Sequence, residues 1–432
     1  MFLSNCLNVN EKGHLTIGGA DTLSLAEEHG TPLYVMDEET IRESCRAFKR
    51  SIDEYYDGHG RVIYASKALN CLEMCRIMEQ EGLGLDIVSG GELYTALKAG
   101  FPTDRIYFHG NNKTAAEIKL ALENNVARLI VDNLTELRLL DRMAGEMGKQ
   151  PKIMLRIKPG IDAHTHEFVM TGQIDSKFGF ALETGEAMEA VKEATSLSHV
   201  ALTGIHCHIG SQIFDTDPFV LAGEVLFTFM RDIKAETGLT ISELNLGGGF
   251  GIKYITSDDA KAYDVFMKAV SQKIKEKAAE YGLPVPFVCI EPGRSIAGPA
   301  GLTLYTVGAV KEIPNIRTYV SVDGGMTDNP RYALYQADFT VLVADRAGEA
   351  ATEKVTVAGK CCESGDLIQE HVMVQPVSAG DTLAVLATGA YNYSMANNYN
   401  RTPKAPIVMV KDGKSRVVIR RESYEDLVRN DV

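Results

Sequence analysis

Residues 61–133, RVIYASKALNCLEMCRIMEQEGLGLDIVSGGELYTALKAGFPTDRIYFHGNNKTAAEIKLALENNVARLIVDN, alternate short apolar runs with amphipathic stretches. Four runs read as strands: RVIYAS (61–66), LGLDIVS (83–89), RIYFHG (105–110) and RLIVDN (128–133). Between them, CLEMCRIMEQ, GELYTALKAG and TAAEIKLALENN carry helical spacing. Strands that recur every βα unit and alternate with helices imply a parallel sheet. Thr114 and Thr135 stand where helix N-caps are useful.

The same rhythm continues outward from this stretch. KIMLRIK (152–158), VALTGIHCHIG (200–210), SELNLGGG (242–249) and PFVCIEPG (286–293) are further strand candidates. Eight parallel strands fit a closed (β/α)8 barrel of the TIM type, with a doubly wound open sheet as the alternative. After about residue 300 helical periods become rare. LTLYTVGAVKEI, TYVSVDGG, FTVLVA, EKVTVAG, DTLAVLA and APIVMV read as strands, and KDGK (411–414) as a hairpin turn. The expected class is therefore α/β plus β: a barrel over 37–295 and a C-terminal β-sandwich or β-barrel domain over 296–432. Residues 1–36 also read as strand and turn and are expected to join the β domain.

Composition narrows the function. The 432 residues carry 44 Lys+Arg against 58 Asp+Glu, a net charge of −14. An acidic chain without a basic block suits neither nucleic acid nor anionic membranes. No apolar run approaches the roughly 20 residues that span a bilayer, and no signal peptide is evident at the start. Eight scattered Cys, with no CxxC array, fit thiols in a reducing cytoplasm.

Barrel enzymes place their chemistry at the C-terminal ends of strands. Those ends carry Lys67, Asp86, His109, Asp132, Arg156, His208, Gly247 to Gly249 and Glu291. A lone lysine is ordinarily a surface residue. At a barrel mouth it is also a candidate Schiff-base amine. Gly247-Gly248-Gly249-Phe250-Gly251 turns backbone N–H groups toward an anion, or is simply a tight turn. Glu291 either pairs with Arg294 or faces a protonated ring nitrogen. His206 and His208 share one strand face, but no further ligand pair stands nearby in sequence, so no metal site is expected. A ring stacked on a planar cofactor is the better functional reading for this stretch. Adjacent Cys361 and Cys362 make a strained disulfide. A thiol there is a candidate proton donor, or a buried strand-end residue.

Eight motifs occur in order: YASKA, GLDIVSGGE, HCHIGSQ, NLGGGFG, EPGR, DGGMTDNPRYALY, CCESGD and TGAYNYS. On these the chain resembles the alanine racemase-like, fold-type III decarboxylases that use pyridoxal 5'-phosphate, from about residue 30 to 400. Within them it is most similar to the diaminopimelate decarboxylase family. The resemblance implies that Lys67 joins the cofactor covalently, His208 stacks on its ring and Glu291 faces the ring nitrogen. Asp86 sits near Lys67. Ser211, Gly248, Gly249, Gly293 and Arg294 hold the phosphate, and Tyr391 completes the pocket. Cys362 is implied as the general acid that reprotonates the substrate carbon. Arg294, Arg331 and Tyr335 match the family's residues for the substrate's distal carboxylate, Glu363 that for its distal amine, and Tyr391 is implied as a further substrate-binding residue. The implied reaction is decarboxylation of meso-2,6-diaminopimelate to L-lysine and CO₂, the last step of lysine biosynthesis. The alternative is another basic amino acid, ornithine or lysine in D or L form. A homodimer is implied, with Cys362, Glu363 and Tyr391 acting across the interface. Racemases of this fold carry an arginine at the ring nitrogen, where this chain has Glu291, and non-catalytic carriers lack the β domain. The polar stretch 163–176 is a candidate lid.

Overall fold

The computed structural model describes residues 2–161 and 175–432. All but the end of the candidate lid, 163–176, lies outside the described residues. The chain divides into two compact units. One holds Ser44–Gly251 and Ala260–Gly293; the other holds Met1–Glu43, Ile252–Asp259 and Arg294–Val432.

The first unit contains a closed barrel of eight parallel strands. In chain order they are Gly60–Ala65, Gly84–Ile87, Ile106–Phe108, Arg128–Val131, Lys152–Lys158, Ala201–His206, Glu243–Asn245 and Phe287–Ile290. Each pairs with its sequence neighbour, and the last closes on the first at Val288 and Gly60. All eight expected strands are present in the expected order, which excludes the open sheet. Ile63, Tyr107, Ile130, Met154 and Cys289, from five strands, form one buried cluster inside it. Burying such side chains fully is worth roughly 1.5–3 kcal/mol each.

The helices between strands start at specific caps. Thr114 accepts from the Glu117 N–H, and Glu117 returns the bond to the Thr114 N–H. Ahead of Leu134–Glu146 the cap is Asn133, which accepts from the Glu136 N–H at 2.9 Å. Thr135 therefore lies inside that helix. Asn133, with extended backbone just before the helix, is placed for its side chain to take the orphan Glu136 amide.

The second unit is rich in sheet. Its spine is the long strand Gly301–Ile313. One half pairs with Leu33–Asp37 and Thr382–Leu386, the other with Arg317–Val322. Leu33–Asp37 also pairs in parallel with Ile407–Lys411, so the N-terminal segment is woven into this sheet. The KDGK hairpin is present, with Asp412 and Gly413 both at positive φ, as a two-residue hairpin turn requires. Two apolar clusters fill the unit. One packs around Tyr305, Val320, Phe339 and Val357, the other around Leu15, Val35, Leu304 and Val408. Ile252–Asp259 belongs to this unit although the residues on both sides belong to the barrel unit. A boundary drawn at 295 from sequence texture places that segment in the barrel.

Candidate active site

Barrel register builds the first cluster. Arg156, His206, Asn245 and Cys289 are partners across four adjacent strands. Glu291 follows two residues beyond Cys289, so its carboxylate reaches back over this level. Asn245 Nδ2 donates to Glu291 Oε1 at 2.7 Å, and His206 Nε2 lies 3.1 Å from Oε2. His109 Nε2 lies 2.8 Å from Oε1 and 3.7 Å from Asp86 Oδ1. Glu291 is thus a buried carboxylate held by two imidazoles and an amide. Burial raises its pKa, but His109 and His206 outweigh that and hold it well below the usual carboxylate range. Burial pulls His206 down to about 4, so it is a neutral ring donating through Nε2. The ligand atoms of His109, His206 and Glu291 lie within 4.8 Å of one another. The carboxylate they share is what joins them.

The remaining strand ends complete the mouth. Lys67 sits exposed in the short turn Ser66–Ala68 directly after the first strand. Asp86 is buried. Its pKa is raised by that burial, against the charges of His109 and Lys67. Burial, then the Lys67 and Arg156 charges, hold His208 well below its ordinary value, so its ring is neutral. The Gly248 N–H donates to His208 Nδ1 at 3.3 Å, which fixes the proton on the other ring nitrogen. The loop carrying Ser211 is laced to the glycine loop. Ile213 N–H donates to Gly249 O at 2.9 Å, and Gly251 N–H to Ile213 O at 3.0 Å.

These glycines leave no room for a side chain. A Cβ on Gly248 would stand 2.1 Å from Glu291 O. Gly249 has φ +109°, and its Cβ would stand 2.4 Å from Gly210 O. A Cβ on Gly293 would stand 2.9 Å from the Ala65 Cβ and 3.2 Å from the Ala68 Cβ, beside Lys67. Backbone loops this close offer N–H groups to an anion. A buried anionic acid, a neutral imidazole, an exposed lysine and a glycine cradle on one barrel rim fit pyridoxal phosphate: amine for its aldehyde, acid for its ring nitrogen, amides for its phosphate.

The second unit carries a separate cationic cluster. Arg294 and Arg331 are both buried, 8% and 7% exposed. Arg294 Nη1 donates to the Tyr254 hydroxyl, and its guanidinium lies 4.6 Å from the Tyr391 ring centre. Arg331 lies 4.7 Å from the Tyr254 ring and 5.5 Å from Phe339. Among the described residues no carboxylate pairs with Arg331, and its Nη1 has no hydrogen-bond partner. Burial, with the neighbouring Arg294 charge adding to it, lowers its pKa. Tyr335 ends the short helix Arg331–Tyr335, so both come from one turn. Tyr391 adopts φ +61°, a strained conformation for a non-glycine residue, beside an Asn392 side chain bonded to Thr388 O and Ala390 O.

Cys362 and Glu363 are exposed at the tip of an anchored loop. The buried Asp366 carboxylate accepts from the N–H groups of Met326 and Cys361, and Asn400 Oδ1 accepts from the Cys362 N–H. Cys361 faces Asp366, and burial with that charge raises its thiol to about 11. All eight cysteines are free.

Most of these residues stand out in the sequence as strand ends or motif members. Asn245 and Tyr254 do not. A polar residue at an inward strand position was the available signal for Asn245; nothing local marks Tyr254.

Comparison with known proteins points to the same cofactor. Residues 38–298 match the family model "Pyridoxal-dependent decarboxylase, pyridoxal binding domain". A diaminopimelate decarboxylase of Bacillus subtilis (strain 168) is 49% identical over 432 residues, covering 100% of this chain and 98% of that one. The crystal structure of a diaminopimelate decarboxylase from M. jannaschii in co-complex with L-lysine superposes with a TM-score of 0.92 at 35% identity, covering 100% of this chain and 99% of that one. That of the Helicobacter pylori enzyme complexed with L-lysine gives 0.86 at 32%, covering 95% and 98%. The chain belongs to the pyridoxal-dependent decarboxylases, in the diaminopimelate decarboxylase branch of that family.

Proposed function

We propose that the chain decarboxylates meso-2,6-diaminopimelate to L-lysine and CO₂, the last step of lysine biosynthesis. The observation that carries the substrate choice is Arg331, a buried guanidinium beside a second buried arginine and, among the described residues, with no carboxylate partner. Burying a cation is costly unless it is paired. A substrate carboxylate supplies the partner. Ornithine and lysine, held by the amino acid centre that reacts, bring no second carboxylate. They would leave Arg331 uncompensated.

The cofactor, when bound, supplies an electron sink for the pair left on the α-carbon as CO₂ departs. Lys67 would hold it covalently, with Asp86 alongside. Glu291, kept anionic by its donors, would keep a proton on the ring nitrogen. His208, a neutral ring, would pack against the cofactor. Ser211, Gly248, Gly249, Gly293 and the backbone of Arg294 bind the phosphate. Arg294, Arg331 and Tyr335 grip the distal carboxylate, Arg through its planar fork. Glu363 takes the distal ammonium, and Tyr391 closes this side. Cys362 returns a proton to the α-carbon as general acid.

The exposed loop of Cys362 and Glu363 serves the partner's site in a homodimer, and the free thiols suit a reducing cytoplasm. Among the described residues no helix is long and apolar enough to cross a membrane.

The test is Arg331→Gln. Loss of a buried charge pair predicts a fall in kcat/KM for diaminopimelate of about 2–5 kcal/mol, thirtyfold or more. Unchanged kinetics overturn the substrate assignment.

A further inference from the structure

We propose that Tyr254 is a specificity-positioning residue, which holds Arg294 and Arg331 in place for the substrate's distal carboxylate. This inference rests on the distal-carboxylate reading above. Three observations carry it.

The first is the path of the chain. Ile252–Asp259 is built into the sheet-rich unit, while the residues on either side belong to the barrel. Such an excursion needs a reason in what it delivers. The second is how its backbone is fastened. The Tyr254 and Ile255 N–H groups both donate to Asp258 Oδ2, at 2.8 and 3.1 Å. The Tyr254 carbonyl accepts the Thr340 N–H at 3.1 Å and the Thr340 hydroxyl at 2.9 Å. Both backbone polar groups of Tyr254 are thereby fixed.

The third is what the side chain does. Its hydroxyl takes Arg294 Nη1, and its ring carries the Arg331 guanidinium at 4.7 Å. Phe339 backs it edge-on, with centroids 5.4 Å apart and planes at 89°. One neutral ring thus anchors two like charges by different chemistry, a hydrogen bond for one and a π-face for the other. Left alone, adjacent guanidinium groups repel and swing apart. Tyr254 neutralises neither, and among the described residues Arg331 has no carboxylate partner, so the Arg331 charge stays available to a ligand.

The experiment compares two probes on the holoenzyme. L-Lysine retains the distal carboxylate; cadaverine is the same diamine without it. Inhibition constants for both are measured on wild type, Tyr254→Phe, Tyr254→Leu and Arg331→Gln. Melting temperatures confirm that each variant is folded. Tyr254→Leu removes ring and hydroxyl, and is expected to weaken L-lysine by about 2- to 30-fold. Tyr254→Phe keeps the ring under Arg331 and loses less. Cadaverine is expected to bind all four proteins alike. If both probes weaken together in the Tyr254 variants, the role is general packing and the proposal fails. If Arg331→Gln weakens L-lysine while neither Tyr254 variant does, the proposal fails and the distal-carboxylate reading stands. If Arg331→Gln also leaves L-lysine unchanged, both fall.

Discussion

Replacing Glu291 by glutamine removes one negative charge and keeps the side chain's shape. Three groups face the carboxylate: Asn245 Nδ2 at 2.7 Å, His109 Nε2 at 2.8 Å and His206 Nε2 at 3.1 Å. The carboxylate accepts from Asn245 on Oε1 and from His206 on Oε2, while His109 Nε2 stands close to Oε1 without hydrogen-bond geometry. An amide accepts through one oxygen and sets its NH₂ against a donor. Asn245 cannot turn its own amide to compensate, because its Oδ1 takes the Gly247 N–H at 3.0 Å. His206 is already neutral and donates through Nε2. At least one buried donor is therefore stranded, and hydrogen bonds to a charged group are worth about 1.5–3 kcal/mol each. The bond to the cofactor's ring nitrogen belongs to the same class. Its loss lowers kcat by about 10- to 150-fold. Steady-state kinetics at saturating pyridoxal phosphate, with thermal unfolding of the same samples, measure both effects. Glutamine at 291 with wild-type kcat refutes the assignment of Glu291 as the acid that sustains the electron sink.

Two other outcomes follow from the same structure. Lys67→Ala and Cys362→Ala are each expected to lack turnover, yet mixed and reassembled they should regain about a quarter of wild-type activity, because half the dimers are hybrids with one intact site; a mixture that stays inactive counts against a shared site. Burial pushes the Asp328 carboxyl up to about 7 from 3.8. The fold keeps a proton that the unfolded chain loses, so this group's contribution falls as pH rises from about 4 to about 7. Asp328→Asn, which keeps an acceptor for the Gly325 N–H, should remove a pH-dependent difference on the order of 3–4 kcal/mol. Urea titrations of both proteins across that range check it, and parallel pH profiles would contradict the assignment.

The barrel was legible because a buried parallel strand is a short apolar run, and eight such runs recur between helical stretches. The site was legible for a related reason: ionisable residues at the ends of apolar runs have little packing role. Pairing partners were less accessible. Whether Glu291 met Arg294 or something else depended on strand register, which brings His206 and Asn245 level with each other. Leu367–Val374 is hard to read from sequence because Gln369, Glu370 and His371 interrupt its apolar run, with Gln369 itself buried, and because it directly follows the CCESGD motif. Tyr254 was invisible for a different reason. Its role depends on an eight-residue excursion between units, and no local pattern encodes that.

The most direct measurement incubates the purified protein and pyridoxal phosphate in parallel with meso-diaminopimelate, L-lysine and L-ornithine, and quantifies CO₂ and amine products. CO₂ and L-lysine from diaminopimelate alone are the expected result. CO₂ from lysine or ornithine at a comparable rate would contradict it, since neither brings a second carboxylate to Arg331.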